Sequence, residues 1–340
     1  MATGAAARPV QLRDVAREAG VSISTASRVL SGAGRVSPAA EEAVRAASER
    51  LGYRPNRVAR ALRVQATGSV AMTLPWIRNP FYGELMEAVE ARLAVAGLEL
   101  FVAQAHGDAD EEAHRIDTLV ERQADGLLVI PCDRTRSAGA LRRALASVPV
   151  VQIERRVDGL EADYVGVDNA AGIRLAVDHL VGEGCRSIGV VTGPVSSSTG
   201  RSRLDAWHVA MAAHPGVRPH EPIVEIFTWQ AGARAVQQLL ERGPLPDGLV
   251  CASDLIALGV VRELADTGHR VPEEVKVTGF DGMLFAELCD PPLTTVHSPV
   301  EEIAAAAVDR LVARLGGDHP PPAALELQPR LEVRRSTVAS

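Results

Sequence analysis

From Ser69 onward one alternation repeats: short apolar runs, SVAMTL, LELFVA, GLLVIP, VPVVQI, YVGVD, SIGVVTG, GLVCAS and VKVTGF, separated by longer amphipathic stretches. A run that is apolar on both faces suits a strand of a parallel sheet, because helices cover it from both sides. The amphipathic stretches provide those helices, so this part of the chain is expected to be α/β. Eight runs exceed what one compact open sheet needs, and they fall into two blocks, about 69–160 and 164–290. Two similar doubly wound lobes facing each other are the expectation. In such sheets a ligand binds beyond the carboxyl ends of the strands, so facing lobes form a closable cleft.

The first 65 residues differ in period and in charge. They hold eleven arginines against five carboxylates, a net of +6, and leave −13 for the remainder. A basic head on an acidic body points to an anionic polymer as partner of the head alone. The head reads as three short helices. Leu12, Val15, Ala16 and Ala19 form an apolar stripe that Gly20 ends. Ser22 caps a second helix to about Leu30 with Ile23, Ala26, Val29 and Leu30 as its apolar positions, and Ser37 with Pro38 starts a third, ended by Gly52. Two helices on a tight turn, braced by a third, make a helix-turn-helix plan. The following stretch YRPNRVARALRV has room for a helix of about two turns, capped by Asn56, which is marginal in water without outside support.

Taken in order, the pieces DVAREAGVS, TASRVLSG, VSPAAEEAVRAASERLGYRPNRVARAL, NPFYGEL, VGVDN, RLDAW, ASDLIALG and TGFDG resemble the LacI/GalR family of bacterial transcriptional regulators over nearly the whole chain. The resemblance implies an all-α helix-turn-helix domain at 9–54, a hinge helix and linker at 55–67, and an α/β two-lobed, periplasmic-binding-protein-like effector and dimerisation domain at 68–335. Its N-lobe would comprise about 68–162 plus 297–324, and its C-lobe about 163–293 plus 325–335. VSISTASRVL would be the recognition helix, with Ile23, Ser24 and Arg28 at base edges in the major groove. The chemistry agrees: an arginine grips guanine through two parallel bonds and an isoleucine meets a thymine methyl. Ser22, Thr25 and Ser27 carry hydroxyls suited to phosphate oxygens, which fix register. The hinge, by the same resemblance, brings Asn56 and Arg57 to DNA and wedges Leu62 into the minor groove, at a cost that contacts to the bent duplex offset.

Matched to the family, the effector cleft is lined by Phe81 and Tyr82, by Ser197, Thr199 and Arg203, by Trp229, and by Asp281. Arg203 and Asp281 would bind vicinal hydroxyls from two sides, and Trp229, with Trp76 as a further aromatic, would stack on a sugar ring. A sugar or sugar derivative is the expected effector, because SSSTGRSRLDAWH resembles the lactose-type regulators; a nucleobase is the alternative. Ser253 stands where the family commonly has asparagine. The tail LELQPRLEVRRSTVAS has no leucine heptad, so a homodimer on a nearly palindromic operator is expected.

Other function classes fare poorly. No GxSxG, Walker A, HExxH or GxGxxG after a strand is present, and an enzyme is not expected. The cysteines Cys132, Cys185, Cys251 and Cys289 are isolated, which suits neither a metal site nor a disulfide framework; no cofactor is expected. No run reaches the roughly 18–20 apolar residues of a membrane span and the first residues lack a secretory pattern. The expectation is a cytoplasmic protein, against a solute-binding protein without DNA function.

Overall fold

The computed structural model describes residues 10–31, 36–53, 66–318 and 320–338. Contacts divide the chain into two compact units, Met1–Thr67 and Gly68–Ser340. The expected hinge, with Asn56, Arg57 and Leu62, lies outside the described residues.

The first unit holds three helices, α1 (Leu12–Glu18), α2 (Ile23–Ser31) and α3 (Pro38–Arg50), closed around Val15, Ala16, Ala26, Val29, Val44 and Ala47. Each boundary has a local cause. The Gln11 N–H donates to Asp14 Oδ2 at 2.9 Å ahead of α1, and Gly20, at φ 66°, turns the chain out of it in a conformation that other residues avoid. Ser22 Oγ accepts from the Thr25 N–H at 3.1 Å to start α2. Ser37 Oγ does the same for Ala40 at 3.4 Å, with Pro38 at the first position of α3.

The second unit contains two sheets. The first, wholly parallel, runs in the order β12 (Ala324–Leu327), β5 (Asp163–Val167), β4 (Val150–Ile153), β3 (Gly126–Val129), β1 (Ser69–Leu74), β2 (Glu99–Gln104). Helices α4 (Pro80–Val95) and α12 (Val300–Leu315) pack together over it, as do α5 (Ala109–Glu121) and α6 (Ala138–Leu145). Successive strand side chains face opposite ways, so Val70 and Met72 join one core cluster while Ala71 joins another. Burial on both faces is the reason the strands read as unbroken apolar runs.

The second sheet runs β13 (Arg330–Glu332), β11 (Thr294–His297), β10 (Lys276–Asp281), β9 (Gly248–Cys251), β6 (Ser187–Thr192), β7 (Arg218–Pro219), with β8 (Ile223–Val224) also on β6. Only β13 pairs antiparallel. Its helices pack in two pairs, α7 (Asn169–Gly182) with α8 (Ser198–Ala213) and α9 (Trp229–Arg242) with α10 (Asp254–Asp266), and the short α11 (Phe285–Leu288) follows β10.

Two boundaries depart from the sequence reading. YVGVD was expected to open the second lobe, yet it is β5 of the first sheet, and residues 325–327, expected in the C-lobe, lie in β12 beside it. The physical reason is Asp163, whose buried carboxylate binds Arg310 at 3.1 Å, Arg314, and the Ala323 N–H at 3.0 Å. The two arginines belong to α12 and Ala323 leads into β12, so these groups pin the start of β5 to the first lobe. The chain then crosses between the lobes three times, after β5, after β11 and between β12 and β13.

Candidate DNA-reading helix and effector cleft

On α2 the buried side is Ala26 and Val29. Ile23, expected among the apolar positions, is instead 56% exposed, and Ser22, Ser24 and Arg28 are exposed with it, while Thr25 and Ser27 are half-buried. The hydroxyls of Ser22, Ser24 and Thr25 form a chain, with Ser22 Oγ 3.0 Å from Ser24 Oγ and 2.8 Å from Thr25 Oγ1. Arg28 Nε donates to the Ser24 carbonyl at 3.4 Å. One outer face of a small helical head therefore presents an isoleucine, a guanidinium and several hydroxyls, the groups that read base edges and phosphates.

In the second unit a cavity of about 520 Å³ opens between the lobes. The first lobe contributes the loop after β1, with Trp76, Arg78 and Asn79, then Tyr82, Cys132 beyond β3 and Arg155 beyond β4; the second contributes Ser196, Ser197, Phe227, Thr228, Trp229 and Gln230. These lie where strands end and helices begin, as open parallel sheets require. Three of the lining side chains also cap helices: Asn79 Oδ1 accepts from Phe81 at 3.1 Å, Ser197 Oγ from Gly200 at 3.0 Å, and Thr228 Oγ1 from Ala231 at 3.3 Å. Trp76 is 42% exposed and Trp229 54%, one from each lobe.

Of the seven expected effector residues, Tyr82, Ser197 and Trp229 line this cavity. Phe81 and Thr199 are buried and not among its lining residues. Arg203 and Asp281 are brought together, but behind the wall. Arg203, 1% exposed, donates through Nε to Asn169 Oδ1 at 2.7 Å and through Nη1 to the Ala252 carbonyl at 2.6 Å and Asp281 Oδ1 at 3.3 Å. Its Nη2 reaches Glu154 Oε1, across the lobe boundary, at 3.4 Å, and its Cζ lies 3.6 Å from the centre of the Phe280 ring. The guanidinium is thus engaged on every side by protein groups. Burial pushes the carboxyls of Glu154 and Asp281 up, against the pull of Arg203 on both. Ser253 serves as a cap, accepting from the Ile256 N–H at 3.3 Å. Its neighbour Asp254 is fully buried and holds the loop after β10, accepting from Gly282 at 2.9 Å, Met283 at 2.7 Å and Thr295 Oγ1 at 2.5 Å. Burial pushes its pKa up to about 7, over the opposing pull of those donors.

Sequence reasoning missed Asn79, Arg155, Phe227, Thr228 and Gln230. Arg155 had a signal: it follows the apolar run VPVVQI within two residues, just as Asp281 directly follows VKVTGF. No cluster of metal-ligating side chains occurs among the described residues.

A compact three-helix head with a reading face, joined in one chain to a two-lobed body with a cleft, defines a ligand-responsive DNA-binding regulator. The comparisons agree with that class. Residues 11–56 match the model of bacterial regulatory proteins of the lacI family, and residues 177–337 that of the periplasmic binding protein-like domain. The chain is 30% identical over 326 residues to the HTH-type transcriptional repressor PurR of Aliivibrio salmonicida, covering 96% of this chain and 98% of the relative. It is 35% identical over 335 residues to the HTH-type transcriptional regulator CelR of Thermobifida fusca, covering 96% and 97%. Its fold matches the crystal structure of the Lac repressor dimer bound to operator and the anti-inducer ONPF with TM-score 0.90 at 28% identity, over 98% of this chain and 100% of that one. A CelR–cellobiose complex matches with TM-score 0.73 at 33% identity, over 97% and 100%. The chain belongs to the lacI family of bacterial regulatory proteins, transcriptional regulators that bind DNA through the helix-turn-helix head.

Proposed function

We propose that this regulator is a homodimeric repressor that reads a nearly palindromic operator through α2 and responds to a carbohydrate held between its lobes. Ile23, Ser24 and Arg28 would meet base edges, Ser22, Thr25 and Ser27 phosphates, and Asn56, Arg57 and Leu62 of the hinge the DNA between the half-sites. The observation that carries the effector reading is the cavity itself: tryptophans from opposite lobes flank a space whose remaining polar groups are hydroxyls, amides and guanidinium. Flat apolar rings with a few oriented donors suit the apolar face and hydroxyl rim of a sugar ring. The CelR–cellobiose complex and the ribose operon repressor of Haemophilus influenzae, 32% identical over 326 residues, support the same class. The dimer reading is supported by the Lac repressor dimer bound to operator and by exposed apolar side chains in both lobes, Phe101 and Val102 on β2 and Leu284, Phe285 and Leu288 in the segment after β10. Such patches mark contact surfaces.

Effector and operator would favour different lobe arrangements, so each changes the other's affinity by one factor. Fluorescence anisotropy on duplexes from the protein's own promoter and those of neighbouring genes, repeated with a panel of sugars and nucleobases, checks this. Operator affinity is expected to change about 5- to 150-fold with the correct sugar. A response confined to nucleobases would overturn the carbohydrate reading.

A further inference from the structure

The charged groups on the cavity wall are not those expected to meet the ligand. Glu154 and Asp281 stand behind the wall, held by Arg203, and no aspartate or glutamate lines the cavity among the described residues. Two arginines do line it, Arg78 and Arg155. Arg155 is only 8% exposed, forms no side-chain hydrogen bond or ion pair with the described residues, and keeps its Nε sealed from solvent without a partner. Its guanidinium carbon stands 5.4 Å from the centre of the Phe227 ring on the facing lobe. Buried guanidinium donors left unmade are costly, which sets Arg155 apart from the other buried arginine of the cleft. The neighbouring Tyr82 hydroxyl, pushed by burial to about 12, and the Cys132 thiol, also pushed up by burial, stay neutral; the buried carboxyls of Glu154 and Glu112 feel the charge of Arg155, but burial pushes both up and neither is hydrogen-bonded to it. Three helix starts, at Asn79, Ser197 and Thr228, add their positive ends to the same space.

Resting on the carbohydrate reading above, we infer that the effector is an acidic sugar, a carbohydrate carrying a carboxylate or a phosphate, and that Arg155 receives its anionic group. The planar guanidinium matches either group through two parallel bonds, while Trp76 and Trp229 take the ring. Arg78, exposed at the mouth, supplies a second positive charge that draws an anion inward.

The test is calorimetric titration of the full-length protein with matched pairs: glucose against glucuronate and glucose 6-phosphate, galactose against galacturonate, and cellobiose against cellobionate. In at least one pair the acidic member is expected to bind ten-fold tighter or better than its neutral partner. In Arg155→Gln that preference is expected to collapse to within about three-fold, whereas Arg155→Lys, which keeps the charge, retains part of it. The carboxylate and phosphate arms distinguish the two anions. Neutral sugars binding as tightly as acidic ones, or a preference for acids that survives in a folded Arg155→Gln, overturns the inference and leaves the carbohydrate reading standing. Binding of nucleobases with no sugar of either kind overturns both.

Discussion

Arg203 and Arg155 border the same cleft and are both almost withdrawn from water, yet they stand in opposite conditions. Arg203 has a partner on each side and links the lobes through Glu154; Arg155 has an unpartnered Nε and meets Glu154 and Glu112 only through the charge between them, without a hydrogen bond. A buried charge whose donors are used up is part of the architecture, since removing it leaves others stranded. A buried charge with donors unused is a place prepared for something that arrives later. The difference separates residues that shape the cleft from those that meet its contents.

Arg203→Met should break the comparison hardest, leaving Glu154 and Asp281 without their cation. A loss of about 3–5 kcal/mol in urea unfolding is expected; a loss under about 1 kcal/mol would mean the floor is not held by this arginine. Arg28→Ala extends the contrast to the head, where an exposed side chain is expected to add little to the fold. Operator discrimination should fall by about 1–3 kcal/mol at the bases it meets, measured by anisotropy on single-base operator variants, with stability unchanged within about 0.5 kcal/mol. An unaltered base preference would remove Arg28 from the reading face.

Acidity separates the floor from the α12 network. Asp254 is raised in the folded protein to about 7, so its contribution is complete below the unfolded value near 4 and is lost as pH rises through about 7. Asp163 runs the other way. Burial pushes its carboxyl upward, but Arg314, the Ala323 N–H and Arg310 prevail and hold it below its ordinary value, so its contribution is present above about pH 4 and is lost as the pH falls. Thermal melts across pH 3–9 should show both slopes; Asp254→Asn should reduce the upper one, to which Asp281 and Glu154 also contribute, and leave the lower. Arg155→Gln is expected to cost the fold under about 1 kcal/mol, because no hydrogen-bond partner is stranded. A loss as large as that of Arg203→Met would erase the distinction between the two arginines.

Much of the fold was legible because its causes are periodic. Strands buried on both faces read as continuous apolar runs, and helix starts carried their caps in the sequence, at Ser37 and Asn79 among others. The lobe boundary was not legible, because β4 and β5 are joined by a loop, 154–162, with no helix to mark that they share a sheet. What assigns β5 is Asp163 meeting arginines about 150 residues later, a contact with no local signature. The site divided in the same way. Arg203 and Asp281 were assigned to one site by the family resemblance and do meet at 3.3 Å, but whether a guanidinium faces a ligand or a carboxylate depends on three-dimensional pairing. Ile23 read both as an apolar position of the helix and, by resemblance, as a base-edge residue; the packing of Ala26 and Val29 turns it away from the core.

The tryptophans of the cleft have an optical consequence. The chain contains three in all, and the third, Trp207, is 1% exposed within the core. Trp76 and Trp229 stand on opposite walls and are partly wet, so a bound ring that displaces water from their indoles shifts their emission, while Trp207 supplies a steady blue background. The molecule therefore carries its own dye pair and internal reference. Occupancy can be followed without a label, and replacing either wall tryptophan by phenylalanine tells which lobe the ligand touches first.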